Sequence, residues 1–519
     1  MLQRIVTNII SGFTCVVLFS AVLSAPLSAG AQTERPIRWA CIGNSITQGP
    51  SVTDAYAYKL GKLLGPGFIV QNDGVSGRTL MRNGDFSYWT QGKLDSVFKF
   101  QPDIISIKLG TNDSKPINWD THKGEFEKDL TDLIDTLAAM PSKPKIWLVI
   151  PCPAFSDGTG PTGIRGSVIK NEIIPLIKKV AAAKNLNTID VYTPMLTHQA
   201  FFADNVHPNA EGHDTIANVF FRTFLSKATR IACMGNSITE YSFGQGDPAI
   251  VPGDAYPIRL NMLFGRDYWV ENDGKSGAYM MKTGPSPYWN MGRMPFVFAL
   301  KPNIITIKLG TNDARAQYWN KNEYLADYRL MIDSLSKISP KPKIWLLLPC
   351  PAWMRNGAWP FQGINDSLIV NQVIPSIKQI ATEKGLEFID LHTPMMAHEA
   401  LVTDGVHPNA EGQDTLAHLI YRALSKPTVS IATAPAPAMA YPETDLRGSI
   451  LYVTVPGQVP GTLRLYAPDG GLKATAPLSA GEASRLSLAG MAPGRYFLLV
   501  ETPHWRAAKG LVLEAGRTK

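Results

Sequence analysis

The sequence has no run of five or more Lys or Arg residues. Its net charge of +7 is spread over 519 residues and forms no basic stripe of the kind that grips nucleic acid. Beyond the N-terminus it also has no 18 consecutive apolar residues, so no later segment is expected to span a bilayer as a helix. Cysteine is scarce. Cys15 lies in the N-terminal apolar stretch, while Cys41, Cys152, Cys233 and Cys350 each end an apolar run, as buried core thiols do and as the cysteines of a disulfide framework do not. A bridge within each half stays open, provided the Cα atoms are close. The N-terminus pairs Arg4 with apolar residues 9–23 and the small tripeptide Ala29-Gly30-Ala31. This predicts a signal peptide over 1–31 and an exported protein: secreted, periplasmic or on the cell surface.

What the chain does have is a long internal repeat. The heptapeptide IKLGTND stands at 107–113 and again at 307–313, and DGVSG, PKIWLVIPCPA and DNVHPNAEG each have a near-identical second copy. Gly77 pairs with Gly277, Asn112 with Asn312 and His207 with His407 at a separation of 200; Ser45 pairs with Ser237 at 192, so the second copy carries eight extra residues after that serine. A unit this long is a duplicated domain, because solenoid repeats run about 20–50 residues. The expected domains are 32–227 and 228–425, and the short passage between them should hold the copies together. A Pro/Ala-rich linker follows at 426–443. Alternating apolar runs between Gly/Pro turns then predict a small β-sandwich over 444–519.

Within each copy, short β-rich runs ending in Gly, Asn, Asp or Pro alternate with helical patterns. Phe126, Leu130, Leu133, Ile134 and Leu137 follow the 3.6-residue period. That rhythm predicts an α/β fold with a parallel doubly wound sheet in each copy, and ligands beyond the strand C-termini.

Four blocks carry chemistry. GNSIT follows the first strand and places Ser45, or Ser237, on a strand-to-helix turn where a hydroxyl can face a ligand; a capping serine would look the same. DNVHP and DGVHP set Asp204 three residues before His207 and Asp404 before His407, close enough for the carboxylate to fix the imidazole tautomer. Gly77 or Gly277 offers an unobstructed backbone N–H, and Asn112 or Asn312 a carboxamide at the end of the third strand; both residue types also make ordinary turns. Four blocks in one order, twice in one chain, argue for nucleophile, base, orienting acid and oxyanion donors together.

These blocks resemble the SGNH hydrolases, also called GDSL-like esterases, across both copies. The resemblance implies two flavodoxin-like domains with nucleophiles Ser45 and Ser237, bases His207 and His407, and orienting Asp204 and Asp404. It also implies oxyanion donors Gly77, Asn112, Gly277 and Asn312, and a mechanism that needs no cofactor or metal. One departure is that the family's usual Asp before the nucleophile is Asn44 or Asn236 here. GVSGRTL and HPNAEG are most similar to bacterial sialate O-acetylesterase-like carbohydrate esterases, which implies an O-acetylated glycan as substrate partner. A lipase, thioesterase or peptidoglycan O-acetylesterase on the same machinery, and a glycan-binding protein with one silent copy, are the alternatives. Tyr88, Trp89, Tyr288, Trp289, Trp119, Trp319, Trp353 and Trp359 are candidates for sugar-stacking walls or core. Arg78 and Arg165, replaced by Ala278 and Asn365, are candidates for binding an anionic sugar or for plain surface charge. The C-terminal segment resembles the sorting domains of the type IX secretion system, which implies the secretion machinery as a partner.

Overall fold

The computed structural model describes residues 35–160, 162–241 and 252–425 and the strands between 443 and 513. The expected signal peptide and most of the linker lie outside the described residues. The chain divides into two compact units, one spanning both copies and the other C-terminal from Pro427.

In the first copy, β1 (Ile37–Gly43), β2 (Phe68–Gly74), β3 (Ile104–Lys108), β4 (Lys145–Ile150) and β5 (Asn187–Asp190) form a parallel sheet in the order β2-β1-β3-β4-β5. The second copy repeats it with β6 (Thr229–Gly235), β7 (Tyr268–Gly274), β8 (Ile304–Lys308), β9 (Lys343–Leu348) and β10 (Glu387–Asp390), in the order β10-β9-β8-β6-β7. Both have the expected doubly wound architecture, with the strand order reversing beside β1 and β6. Alternate residues point to opposite faces. Ala40, Ile42, Ile105, Ile107 and Leu148 pack on one side with the helix Phe126–Ala138. Trp39, Cys41, Ile104, Trp147 and Val149 pack on the other with the helices Tyr56–Leu64 and Ala210–Lys227. All four described cysteines are free and buried, so no bridge forms within either copy; burial pushes the Cys41 and Cys233 thiols up to about 12.

The helix Ala210–Lys227 runs into β6 through Ala228 alone. Trp269 on β7 leaves its own copy's core and joins that of the first, packing against Phe68, Phe221 and Phe224 at ring separations of 6.1, 5.3 and 6.4 Å. Lys145 bonds Asp267 at 2.7 Å, and Arg266 donates to the carbonyls of Asp103 and Lys143. The equivalent of Trp269 in the first copy, Ile69, is 46% exposed.

The C-terminal unit has two antiparallel sheets. β11 (Glu443–Arg447), β12 (Ile450–Thr454) and β15 (Ser484–Ser487) make one; β13 (Gly461–Tyr466), β14 (Leu472–Leu478), β16 (Gly494–Glu501) and β17 (Arg506–Leu513) make the other. Leu451, Val453 and Leu486 of the first share a core with Leu463, Leu465, Leu498 and Val500 of the second, the packing of a small sandwich. Among the described residues, no helix is long and apolar enough to cross a membrane.

Candidate active site

Each strand that ends near the sheet's reversal point delivers one part of the site. β1 ends at Gly43, where an added Cβ would sit 2.0 Å from the Thr47 hydroxyl and 2.9 Å from the Lys108 carbonyl, so only glycine lets the chain turn this tightly. Asn44 then caps the helix Ser45–Gln48 by accepting from the Ile46 N–H, and Asn236 does the same for Ile238. The helix therefore starts on the serine. The amide at this position acts as a cap, a job an aspartate would also do.

After β5 the chain forms a loop in which the Asp204 carboxylate accepts from the Val206 and His207 N–H groups at 2.9 and 2.6 Å. Its other oxygen meets His207 Nδ1 at 2.6 Å, and His207 Nε2 lies 2.8 Å from Ser45 Oγ. In the second copy the corresponding separations are 2.7 Å from His407 Nδ1 to Asp404 and 2.8 Å from His407 Nε2 to Ser237 Oγ. The structure thus brings serine, histidine and aspartate together in the expected order in both copies. Desolvation pushes the Asp204 and Asp404 carboxyls up, but the hydrogen bonds from the histidine ring and backbone prevail and hold both below the usual carboxylate range. Each stays charged beside its imidazole.

Gly77 has φ of +77° and Gly277 +76°, left-handed conformations that a side chain would strain. The turn that carries each is held from three sides. Ser76 N–H donates to Gln48 Oε1 at 2.7 Å, and Ser276 N–H to Glu240 at 2.6 Å. Asn112 Nδ2 donates to the Arg78 carbonyl at 3.1 Å, and Asn312 Nδ2 to Ala278 at 2.9 Å. The amide nitrogen carries two hydrogens, so this bond orients it and leaves a second N–H for an oxyanion.

The third support was not foreseen from the sequence. Asp113 and Asp313, buried at the end of the repeated heptapeptide, accept from the N–H groups of Leu80 and Met81 and of Met280 and Met281 at 2.8–3.0 Å. Burial, opposed by those hydrogen bonds, raises both carboxyls to about 6. They are positioning residues. Their identity in both heptapeptides was the available signal, and their acidity masked it, because an acid at a strand end reads as a solvated turn. Lys108 and Lys308 in the same heptapeptide are also buried; neither Nζ has a hydrogen-bond partner, and burial pulls both ammonium groups below their ordinary range.

The aromatic candidates divide. Tyr88, Tyr288 and Trp119 are core: the tyrosine hydroxyls donate to the Asp73 and Asp273 carbonyls at 2.7 Å, and Trp119 Nε1 bonds Glu172. Trp89, Trp289, Trp319, Trp353 and Trp359 are partly buried. Arg165 is committed to Asp120 at 2.8 Å and to the Ser114 carbonyl, which leaves Arg78 as the candidate for binding an anion. His198 and His398, which lack an aspartate three residues earlier, take no part in either constellation; His198 contacts Thr197 and Phe201. Among the described residues no His, Cys, Asp and Glu cluster could hold a metal.

The model of the GDSL-like Lipase/Acylhydrolase family matches residues 41–215 and 233–415, which covers both copies and every residue of both constellations. The chain belongs to that family. Within it, 214 residues are 38% identical to an acetylxylan esterase of Xylanibacter ruminicola, covering 37% of this chain and 44% of that protein. A multidomain esterase of Ruminococcus flavefaciens is 29% identical over 205 residues, 37% of this chain and 25% of that one. The chain thus spans less than half the length of these curated relatives. A solved carbohydrate acetylesterase family member from Sinorhizobium meliloti is 21% identical over 36% of this chain and 95% of its own, with a TM-score of 0.30.

Proposed function

We propose that each copy is a serine esterase and that the chain removes O-acetyl groups from glycans at two sites. The observation that carries this reading is the continuous serine–histidine–aspartate hydrogen-bond chain, present twice with every link between 2.6 and 2.8 Å. Ser45 Oγ attacks the ester carbonyl while His207 Nε2 takes its proton; Asp204 holds the ring and balances the imidazolium. The oxyanion is met by the N–H groups of Ser45 and Gly77 and the Asn112 amide, all positioned before substrate arrives. His207 returns the proton to the leaving sugar hydroxyl, and water then releases acetate from the acyl-enzyme by the reverse route. Ser237, His407, Asp404, Gly277 and Asn312 repeat these roles. The glycan ester as substrate is supported by the acetylxylan esterase relative at 38% identity. Export is supported by the N-terminal signal pattern, and a sorting role for the C-terminal sandwich by its sequence resemblance alone.

A fluorophosphonate probe followed by peptide mass mapping tests the mechanism. Adducts are expected on both Ser45 and Ser237, and acetate release from acetylated xylan is expected to vanish in the Ser45→Ala, Ser237→Ala double variant. Unchanged release in that variant would end the proposal, and an adduct on only one serine would reduce it to one working copy.

A further inference from the structure

The two sites share their reacting groups and differ at the rim. In the first copy, the residue after Gly77 is Arg78, whose carbonyl accepts the Asn112 amide, so its backbone is fixed at the oxyanion side of the site. Its guanidinium lies over the ring of the exposed Phe86, 5.5 Å from the centroid, and its Nε is buried without a partner. Among the described residues no carboxylate comes within ion-pair distance of it. The cations nearby are neutralised: Lys115 by Asp85 at 3.0 Å, Arg82 by Asp132 at 3.3 Å and Asp129 at 3.7 Å, and Arg165 by Asp120 at 2.8 Å. A planar fork resting on an aromatic face, with no carboxylate of its own, suits a carboxylate ligand.

The second copy is built differently at each of these places. Arg78 becomes the buried Ala278, Phe86 becomes Ser286, and neutral Gln48 becomes Glu240, a carboxylate paired with Lys275 at 3.2 Å. Arg315, in place of Lys115, is taken up by the Tyr279 hydroxyl and the Phe361 carbonyl. The Phe361 ring stands edge-on to His407 at 4.9 Å. The His407 side chain is 11% exposed, against 49% for His207.

Resting on the serine-esterase reading, we infer that the copies divide their substrates by charge. The first takes O-acetylated sugars that bear a carboxylate, with Arg78 as the residue that selects them; the second, lacking that fork and with Phe361 against its histidine, takes neutral O-acetylated sugars. A charge-assisted fork at the rim is expected to favour the acidic substrate by on the order of ten- to a hundredfold.

The full chain carrying Ser237→Ala reports the first site alone, and Ser45→Ala the second. For each, kcat/KM for acetate release is measured with an O-acetylated methyl glucuronoside and the matching O-acetylated methyl glucoside. The Ser237→Ala protein should prefer the uronoside and the Ser45→Ala protein the glucoside. Adding Arg78→Ala to Ser237→Ala should reduce the uronoside-to-glucoside ratio by that same ten- to hundredfold, mainly through KM, while Arg78→Lys should retain part of it because the charge remains without the fork. A ratio unmoved by Arg78→Ala, or equal ratios at the two sites, overturns the division while leaving the esterase reading intact. Failure of both single-serine proteins to release acetate or take up the fluorophosphonate overturns the esterase reading itself.

Discussion

The two copies agree in the geometry of serine, histidine and aspartate and differ in the residues around it and at their junction. Serine-to-histidine separations are 2.8 Å in both, and histidine-to-aspartate separations are 2.6 and 2.7 Å. Histidine exposure, by contrast, differs more than fourfold. The lesson is mechanical. The reacting groups are fixed by strand ends and by buried acids such as Asp113 and Asp313, which tie the glycine turn to the sheet, so rim residues change without moving them.

That comparison breaks most sharply at the serines. With both replaced by alanine, turnover should fall by roughly a millionfold, to the background left by the oxyanion donors and binding, whereas each single variant keeps the other site's share; pre-steady-state bursts of the leaving alcohol, freed as the acyl-enzyme forms, count the sites directly. Next in size is Asn112→Ala in the Ser237→Ala protein. It should reduce kcat by on the order of a hundred- to a thousandfold, and Asn312→Ala in the Ser45→Ala protein should match it if the two holes are equivalent.

Structural equivalents are expected to behave unequally. Trp269→Ala empties a site in the first copy's core and should cost about 3–5 kcal/mol in denaturant unfolding, while Ile69→Ala at the matching exposed position should change stability by about 0.5 kcal/mol or less. The smallest effect concerns a buried carboxyl. Asp73 accepts from Gln71 at 2.9 Å, but Asp273 has Glu271 in that place, and burial together with this second acid raises it to about 8. Folded Asp273 keeps its proton from the ordinary aspartate value of 3.8 up to about 8, where the unfolded chain has lost it. Its contribution to stability is therefore present at low pH and lost as pH rises through that window. Glu271→Gln removes the second acid beside Asp273 and should raise Tm at pH 8 by about 2–4 °C, with less gain at pH 5.

Much of this was legible in the sequence because the relevant signals are local. The strand-helix rhythm gave the parallel sheets; the GNSIT, SG and GTND blocks stand just past strand ends, and the DxxH blocks in the loop ahead of each copy's last helix. What stayed hidden depends on burial, which residue type alone does not report. Asp113 and Lys108 look like solvated charges, and Tyr88 and Trp119 look like stacking surfaces until their polar ends find partners inside. Trp269 and Ile69 align in sequence, yet only one of them has another domain to enter.

The junction is asymmetric. Different surfaces of the two copies meet there, a head-to-tail contact that has no closure of its own and in principle admits a third copy. The surface the first copy offers is phenylalanine at 68 and 221; the same positions in the second copy are Tyr268 and Tyr421, each packed on Phe264 at 4.4 and 4.9 Å. Where the first copy packs two phenylalanines against Trp269, the second carries two tyrosines that pack on a phenylalanine of their own copy.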